Sequence, residues 1–143
     1  MFRGVSHIYF PCRDVDESID FYTTNLGFKL YRKWRMNDRT SAYLVLDGIL
    51  LELTLSTTTP STDGRREPRF GIAVDDIDAA MAGLKAKGIH VERDTWDATT
   101  FYGRQAMIKD PSGYIISLRE WRAPDGPEYM DWKPDQPGVE RLA

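Results

Sequence analysis

The chain has 143 residues, 41% of them hydrophobic and 29% charged, the balance of a soluble globular chain able to build one core or two very small ones. Lys and Arg number 19 against 22 Asp and Glu, and the resulting net charge of −3 is a poor electrostatic match to a nucleic-acid backbone. One cysteine can form neither an internal disulfide nor a thiolate cluster for zinc, and no apolar run approaches the ~20 residues of a membrane helix.

Met1 leads into a strand-like segment rather than a basic stretch and a long apolar run, so no secretory signal and a cytoplasmic location are expected. Over 6–12, Ile8, Phe10 and Cys12 alternate with His7 and Tyr9, which predicts a half-buried strand. Asp14 opens a helix, with Glu17 three places on as a capping-box partner. Val15, Ile19, Tyr22 and Leu26 form its apolar stripe, and Gly27 suits the left-handed stop. Three strands follow over 28–36, 41–47 and 49–55, the last two joined by the hairpin signal Asp47-Gly48. Residues 56–68, rich in Thr, Ser, Gly, Arg and Pro, read as an exposed linker. The order then recurs. A strand over 69–74 precedes a helix opened by Asp76, striped by Ile77, Met81 and Leu84 and closed by Gly88. Strands over 89–95, 103–109 and 114–121 complete it, with Asp110-Pro111-Ser112-Gly113 as the last turn. Four of the eight prolines fall within 122–143, which predicts an extension without helix or strand interior.

Asp14 and Asp76 lie 62 residues apart, as do Phe10 and Ile72, so the two starts superpose without a gap. The expected fold is therefore α+β: two tandem βαβββ modules, 5–55 and 69–121, within a single domain over 1–121. Each four-stranded sheet carries one helix on one face, and two modules side by side can curve into a cupped eight-stranded mixed sheet with the helices outside. Parity assigns Phe10, Leu51, Leu53, Ile72, Ile116 and Leu118 to the helix side. His7, Tyr9, Glu52, Arg69, Gly71 and Ser117 then face the cavity.

With these stretches in view, the sequence resembles the vicinal oxygen chelate superfamily, which includes glyoxalase I, extradiol dioxygenases, epimerases and bleomycin-resistance proteins. The matching residues are His7-Ile8 through Asp14, Ser18 to Phe21-Tyr22, Leu26-Gly27-Phe28, Val74-Asp75-Asp76 and Asp110-Pro111-Ser112-Gly113. They span about 5–121. The resemblance implies a ligand position on the first and last strand of each half. The first half keeps His7 and Glu52, the latter in a glyoxalase-like Leu51-Glu52-Leu53-Thr54. The second half has Arg69 and Ser117 instead. A guanidinium has no lone pair to give, and a neutral hydroxyl is a poor ligand for a transition metal. No cofactor and no authentic glyoxalase I activity are therefore expected. The alternative is a divalent ion (Ni, Zn, Fe or Mn) held by His7 and Glu52, with substrate oxygens completing its shell.

His7 and Glu52 have two further readings: a structural hydrogen bond between neighbouring strands, or an acid–base pair in which Glu52 orients the imidazole. Arg69 is either an internal salt-bridge partner of Glu52 or an anchor for a ligand's carboxylate, enolate or phenolate. Ser117 is placed to meet polar ligand groups and Tyr9 to offer apolar contact. Tyr102 and Arg104, beside Gly103, fall where similar proteins open on the cavity rim. The tail residues Tyr129, Met130 and Trp132 suit a lid or an arm on a second subunit. Cys12 shares parity with Phe10 and is read as a small buried hydrophobe. The expected function is binding of a small organic molecule, planar or anionic, by a homodimer, without nucleic-acid or membrane partners. A metal-dependent isomerase, lyase or dioxygenase built on His7 and Glu52 is the competing class.

Overall fold

The computed structural model describes residues 1, 4–56, 70–99 and 102–122. Its contacts divide the chain into two units, Met1–Glu67 with Asp110–Tyr114, and Pro68–Lys109 with Ile115–Ala143. The first holds β1 (Ile8–Cys12), α1 (Val15–Asn25), β2 (Lys29–Met36), β3 (Arg39–Leu46) and β4 (Ile49–Leu55). The second holds β5 (Phe70–Ala73), α2 (Ile77–Ala86), β6 (Val91–Asp97), β7 (Gly103–Lys109) and β8 (Ile115–Trp121). Each half runs β-α-β-β-β, so the fold is α+β, with eight strands in two four-stranded mixed sheets.

The sheet orders are β1-β4-β3-β2 and β5-β8-β7-β6, the same arrangement twice. In each, the first strand lies parallel to the last, which the intervening helix makes possible, and the other pairs are antiparallel hairpins. The hairpin between β3 and β4 turns on Asp47 and Gly48, at φ 46° and 77°. Two consecutive positive φ values match the twist of the flanking strands. Asn37 and Asp38, at φ 48° and 63°, do the same between β2 and β3, so β3 begins at Arg39, before the expected residue 41.

The helices start and stop by matched devices. The Asp14 carboxylate accepts from the amides of Asp16 and Glu17 at 2.9 and 3.0 Å, and that of Asp76 from Ala79 at 2.9 Å. Gly27 and Gly88, at φ 77° and 74°, take the left-handed conformation just past each helix that a Cβ would disfavour. On the helix side of the first sheet, Phe10, Leu44, Leu51 and Leu53 are buried, as are Val15, Phe21 and Tyr22 of the helix. In the second, Ala106, Ile108, Ile116 and Leu118 take the sheet's part and Ile77, Met81 and Leu84 the helix's.

The turn Asp110–Tyr114 belongs by its contacts to the first unit. Asp110 Oδ1 accepts from the amides of Ser112 and Tyr114 at 2.9 and 2.8 Å, which fixes the turn, and Oδ2 accepts the Tyr22 hydroxyl at 2.9 Å. The Tyr114 hydroxyl donates to the Pro11 carbonyl at 2.8 Å, and its ring meets Phe10 edge-on at 4.5 Å between centroids.

Candidate functional site

The face of the first sheet away from α1 carries a continuous line of polar side chains. Leu51 and Leu53 are buried, so the alternation along β4 turns Glu52 and Thr54 to the other side. Glu52 sits opposite Tyr9 on β1 and Tyr43 on β3, and Thr54 opposite Ser41. Ser41 Oγ and Thr54 Oγ1 are 3.0 Å apart, and Thr54 Oγ1 donates to Glu52 Oε1 at 3.3 Å. Glu52 Oε2 stands 3.2 Å from His7 Nε2, and His7 Nδ1 stands 3.0 Å from Ser6 Oγ.

A carboxylate only accepts, so the Glu52 contact is an ion pair when the imidazole is protonated, and between Nδ1 and the Ser6 hydroxyl the tautomer decides which group donates. The His7 side chain is 37% exposed and that of Glu52 17%, so a largely covered carboxylate stands beside a ring that solvent reaches. Beside them, Trp34 stacks at a tilt on Tyr43 with 4.7 Å between centroids, and Tyr43 lies 6.2 Å from the His7 ring. Tyr9 is exposed.

On the second unit, β5, β7 and β8 enclose a hollow of about 460 Å³. Ser117 lines it with Gly71, Gln105, Met107, Arg119 and Trp121. The register explains this company: Gly71 and Met107 flank Ser117, and Gln105 stands opposite Arg119. Ile116, Leu118 and Glu120 alternate with them on the helix side, where Glu120 Oε2 accepts from the Ile77 amide at 2.8 Å.

Arg104 and Tyr102 are not among the residues lining this hollow. Arg104 shares parity with the buried Ala106 and Ile108 and reaches Asp78 of α2 at 2.5 Å and Asp97 at 3.6 Å, whereas the hollow is lined by Gln105 and Met107. Tyr102 is exposed, and its carbonyl accepts from the Arg122 amide at 2.8 Å. Arg69 lies outside the described residues, as do Tyr129, Met130 and Trp132. Cys12 is buried, which pushes its thiol up to about 11, too high for a nucleophile at neutral pH. Sequence reasoning passed over Thr54, Tyr43, Gln105 and Arg119, and counted Trp121 only among the many aromatics of which a few could line a pocket. The signal was available: 54 follows 52, and 119 and 121 follow 117, at the spacing of two that keeps one face.

Comparison with known proteins agrees with the family resemblance and the fold. Residues 4–118 match the Glyoxalase/Bleomycin resistance protein/Dioxygenase superfamily. A probable chloroplastic lactoylglutathione lyase of Arabidopsis thaliana is 34% identical over 125 residues, covering 82% of this chain and 36% of its own length. The chain thus spans about a third of that relative. The trypanothione-dependent glyoxalase I of Leishmania major has 28% identity and a TM-score of 0.68, with 83% of this chain and 87% of that one covered. TnmS3, an antibiotic-binding protein of a Streptomyces species, has 28% identity and a TM-score of 0.64, over 85% of this chain and 98% of its own.

These relatives correct one expectation. The absence of a cofactor was argued from Arg69 and Ser117 standing in two of four ligand positions, but the relatives named lactoylglutathione lyase belong to a metal-dependent enzyme family, using nickel or zinc. Counting side-chain donors is a weak basis for exclusion, because substrate oxygens and water complete many catalytic shells. His7 and Glu52 together offer one imidazole and one carboxylate, the donor types such an ion takes. No group of three or more His, Cys, Asp and Glu is gathered for a metal among the described residues, so these residues fit half a shell and not a closed one.

Proposed function

This chain belongs to the glyoxalase/bleomycin resistance/dioxygenase superfamily, and from that membership we propose that it binds a small organic molecule, planar or anionic, which His7 and Glu52 bond or relieve of a proton. The supporting observation is the 3.2 Å contact between a largely covered carboxylate and a partly exposed imidazole. A histidine beside a carboxylate can take up a ligand's proton at a ring nitrogen, and the carboxylate stabilises the imidazolium that forms. The flanking rings of Tyr43 and Trp34 offer flat apolar surface to such a molecule.

A thermal-shift screen of phenols, dicarboxylates and polycyclic antibiotics tests binding, because a ligand of the folded state raises the melting temperature by linkage. A hit is expected to lose its shift in His7→Ala while the unliganded melting temperature stays put. If the hit is turned over, loss of the imidazole is expected to lower the rate by about 10²–10⁴-fold. Unchanged binding and turnover in that variant would remove the pair from the function.

The names of the relatives favour a second reading, a divalent-metal-dependent lyase, isomerase or dioxygenase in which His7 and Glu52 are two of the ligands. Titration with nickel and zinc followed by metal analysis separates the two. Stoichiometric metal that is lost in Glu52→Gln supports this second reading, and no retained metal rejects it. The homodimer expected from the sequence belongs with these proposals.

A further inference from the structure

Resting on the reading of His7 and Glu52 above and deepening it, we propose that Thr54, backed by Ser41, is the positioning residue that holds the Glu52 carboxylate toward the imidazole. The two carboxylate oxygens have separate neighbours. Oε2 stands 3.2 Å from His7 Nε2, and Oε1 accepts from Thr54 Oγ1 at 3.3 Å. Behind it, Ser41 Oγ lies 3.0 Å from Thr54 Oγ1. A hydroxyl has one hydrogen to give. Thr54 gives its own to Glu52, so Ser41 donates to Thr54, and the chain of bonds runs one way, from Ser41 through Thr54 to Glu52.

Strand geometry delivers both hydroxyls. Thr54 follows Glu52 by two along β4, which keeps them on one face of the sheet, and Ser41 is the register partner of Thr54 on β3. Ser41 is 5% exposed and Thr54 3%. Hydroxyls covered to that degree cost free energy unless each finds a partner, and alanine and valine would fill the two positions without that demand. A cross-strand Ser–Thr bond by itself would serve only the sheet. Here the Thr54 hydrogen leaves that pair and goes to the carboxylate.

The last torsion of a glutamate side chain is broad, so a carboxylate with one oxygen loose is free to turn from its neighbour. Bound at Oε1, Glu52 keeps Oε2 on His7. That placement is what lets the carboxylate steady an imidazolium as it forms. Thr54 touches neither the ring nor a ligand in this scheme and acts only through Glu52.

The test is spectroscopic and needs no ligand: the ¹⁵N shifts of the His7 ring, read by NMR on the labelled full chain at about pH 5.5, between the ordinary carboxylate and imidazole ranges. The chain has two histidines, so the signals are assigned by removing one. Glu52→Gln sets the displacement of Nε2 that loss of the carboxylate gives. Thr54→Val, which keeps the shape and drops the hydroxyl, is expected to produce most of that displacement, and Thr54→Ser, which keeps the hydroxyl, to restore the wild-type shift. A hydroxyl pair that serves only the sheet would lower the melting temperature of Thr54→Val and leave Nε2 in place, which overturns the proposal. An equal displacement in Thr54→Ser and Thr54→Val also overturns it, because the methyl group and not the hydroxyl would then matter. Should Thr54→Val fail to fold, Ser41→Ala is expected to move Nε2 the same way by less, and an unmoved shift there overturns the role. Failure on any of these counts leaves ligand binding to be judged by the thermal-shift screen, and failure of that screen leaves these shifts unaffected.

Discussion

Tyr22 has no solvent exposure, and a phenol buried to that degree needs an acceptor for its hydrogen. It has one in Asp110 Oδ2 at 2.9 Å, 88 residues along the chain. Tyr22→Phe is expected to cost about 1–2 kcal/mol in urea denaturation, since it also leaves one carboxylate oxygen without that donor. Burial raises the Asp110 carboxyl above its ordinary value, although the amides of Tyr114 and Ser112 and the Tyr22 hydroxyl pull it down. Between the ordinary carboxylate range and that raised value the folded chain holds a proton the unfolded chain has lost. Stability from this group therefore falls as pH rises through the window. Measured against Asp110→Asn across acidic to neutral pH, the wild type is expected to lose relative stability with rising pH. A flat difference would refute the raised value. The Asp110-Pro111-Ser112-Gly113 turn was legible in sequence, but its bond to Tyr22 was not, because nothing local links residues so far apart.

At the scale of elements, the two helix starts were readable from Asp14 and Asp76 alone, and both carboxylates cap as expected. The second start has an addition that no local pattern announces. Glu120, buried on β8, accepts from the Ile77 amide, so α2 is capped from its own helix and from the sheet beneath it. Asp76→Ala is expected to cost about 1 kcal/mol, the usual value of a cap. The Glu120 carboxyl is held below its ordinary range, first by Arg122 and then by the Ile77 amide. Its stabilisation is therefore complete above the unfolded value and is lost as pH falls through the folded one, opposite in sign to Asp110. Comparing Glu120→Gln with the wild type by urea denaturation at pH 7 and in acid checks this: the gap is expected to close at low pH. Parity also served unevenly. It placed Ser117 away from α2, but it was not carried on to Arg119 and Trp121, nor across the ladder to Gln105 and Met107. For Arg104 the same alternation points to the helix side, where Asp78 meets it.

Across the whole molecule, the repeat is the dominant fact, and the sheet face away from the helix carries different side chains in each unit. The first presents His7 and Glu52 with aromatic neighbours; the second, among the described residues, presents Ser117, Gln105 and Arg119 with Met107 and Trp121. Side chains between helix and sheet must fill a fixed volume, whereas a shared scaffold leaves the other face to carry different chemistry. The expected homodimer is checked by sedimentation velocity over a range of concentrations. A particle of twice the chain mass is the expected outcome, and a monomer throughout would refute it.

The order of elements, both caps, the glycine stops and the duplicated topology were determined by the sequence itself, because they depend on residues within one or two turns of each other. Membership of the superfamily followed from the same local motifs. Which polar groups meet was decided only by the tertiary structure: Thr54 with Glu52 and Ser41, Tyr22 with Asp110, Glu120 with the start of α2, Arg119 beside Gln105 and Ser117. Those contacts follow from strand register and from the packing of helix on sheet, and both are fixed by a core whose parts lie far apart along the chain.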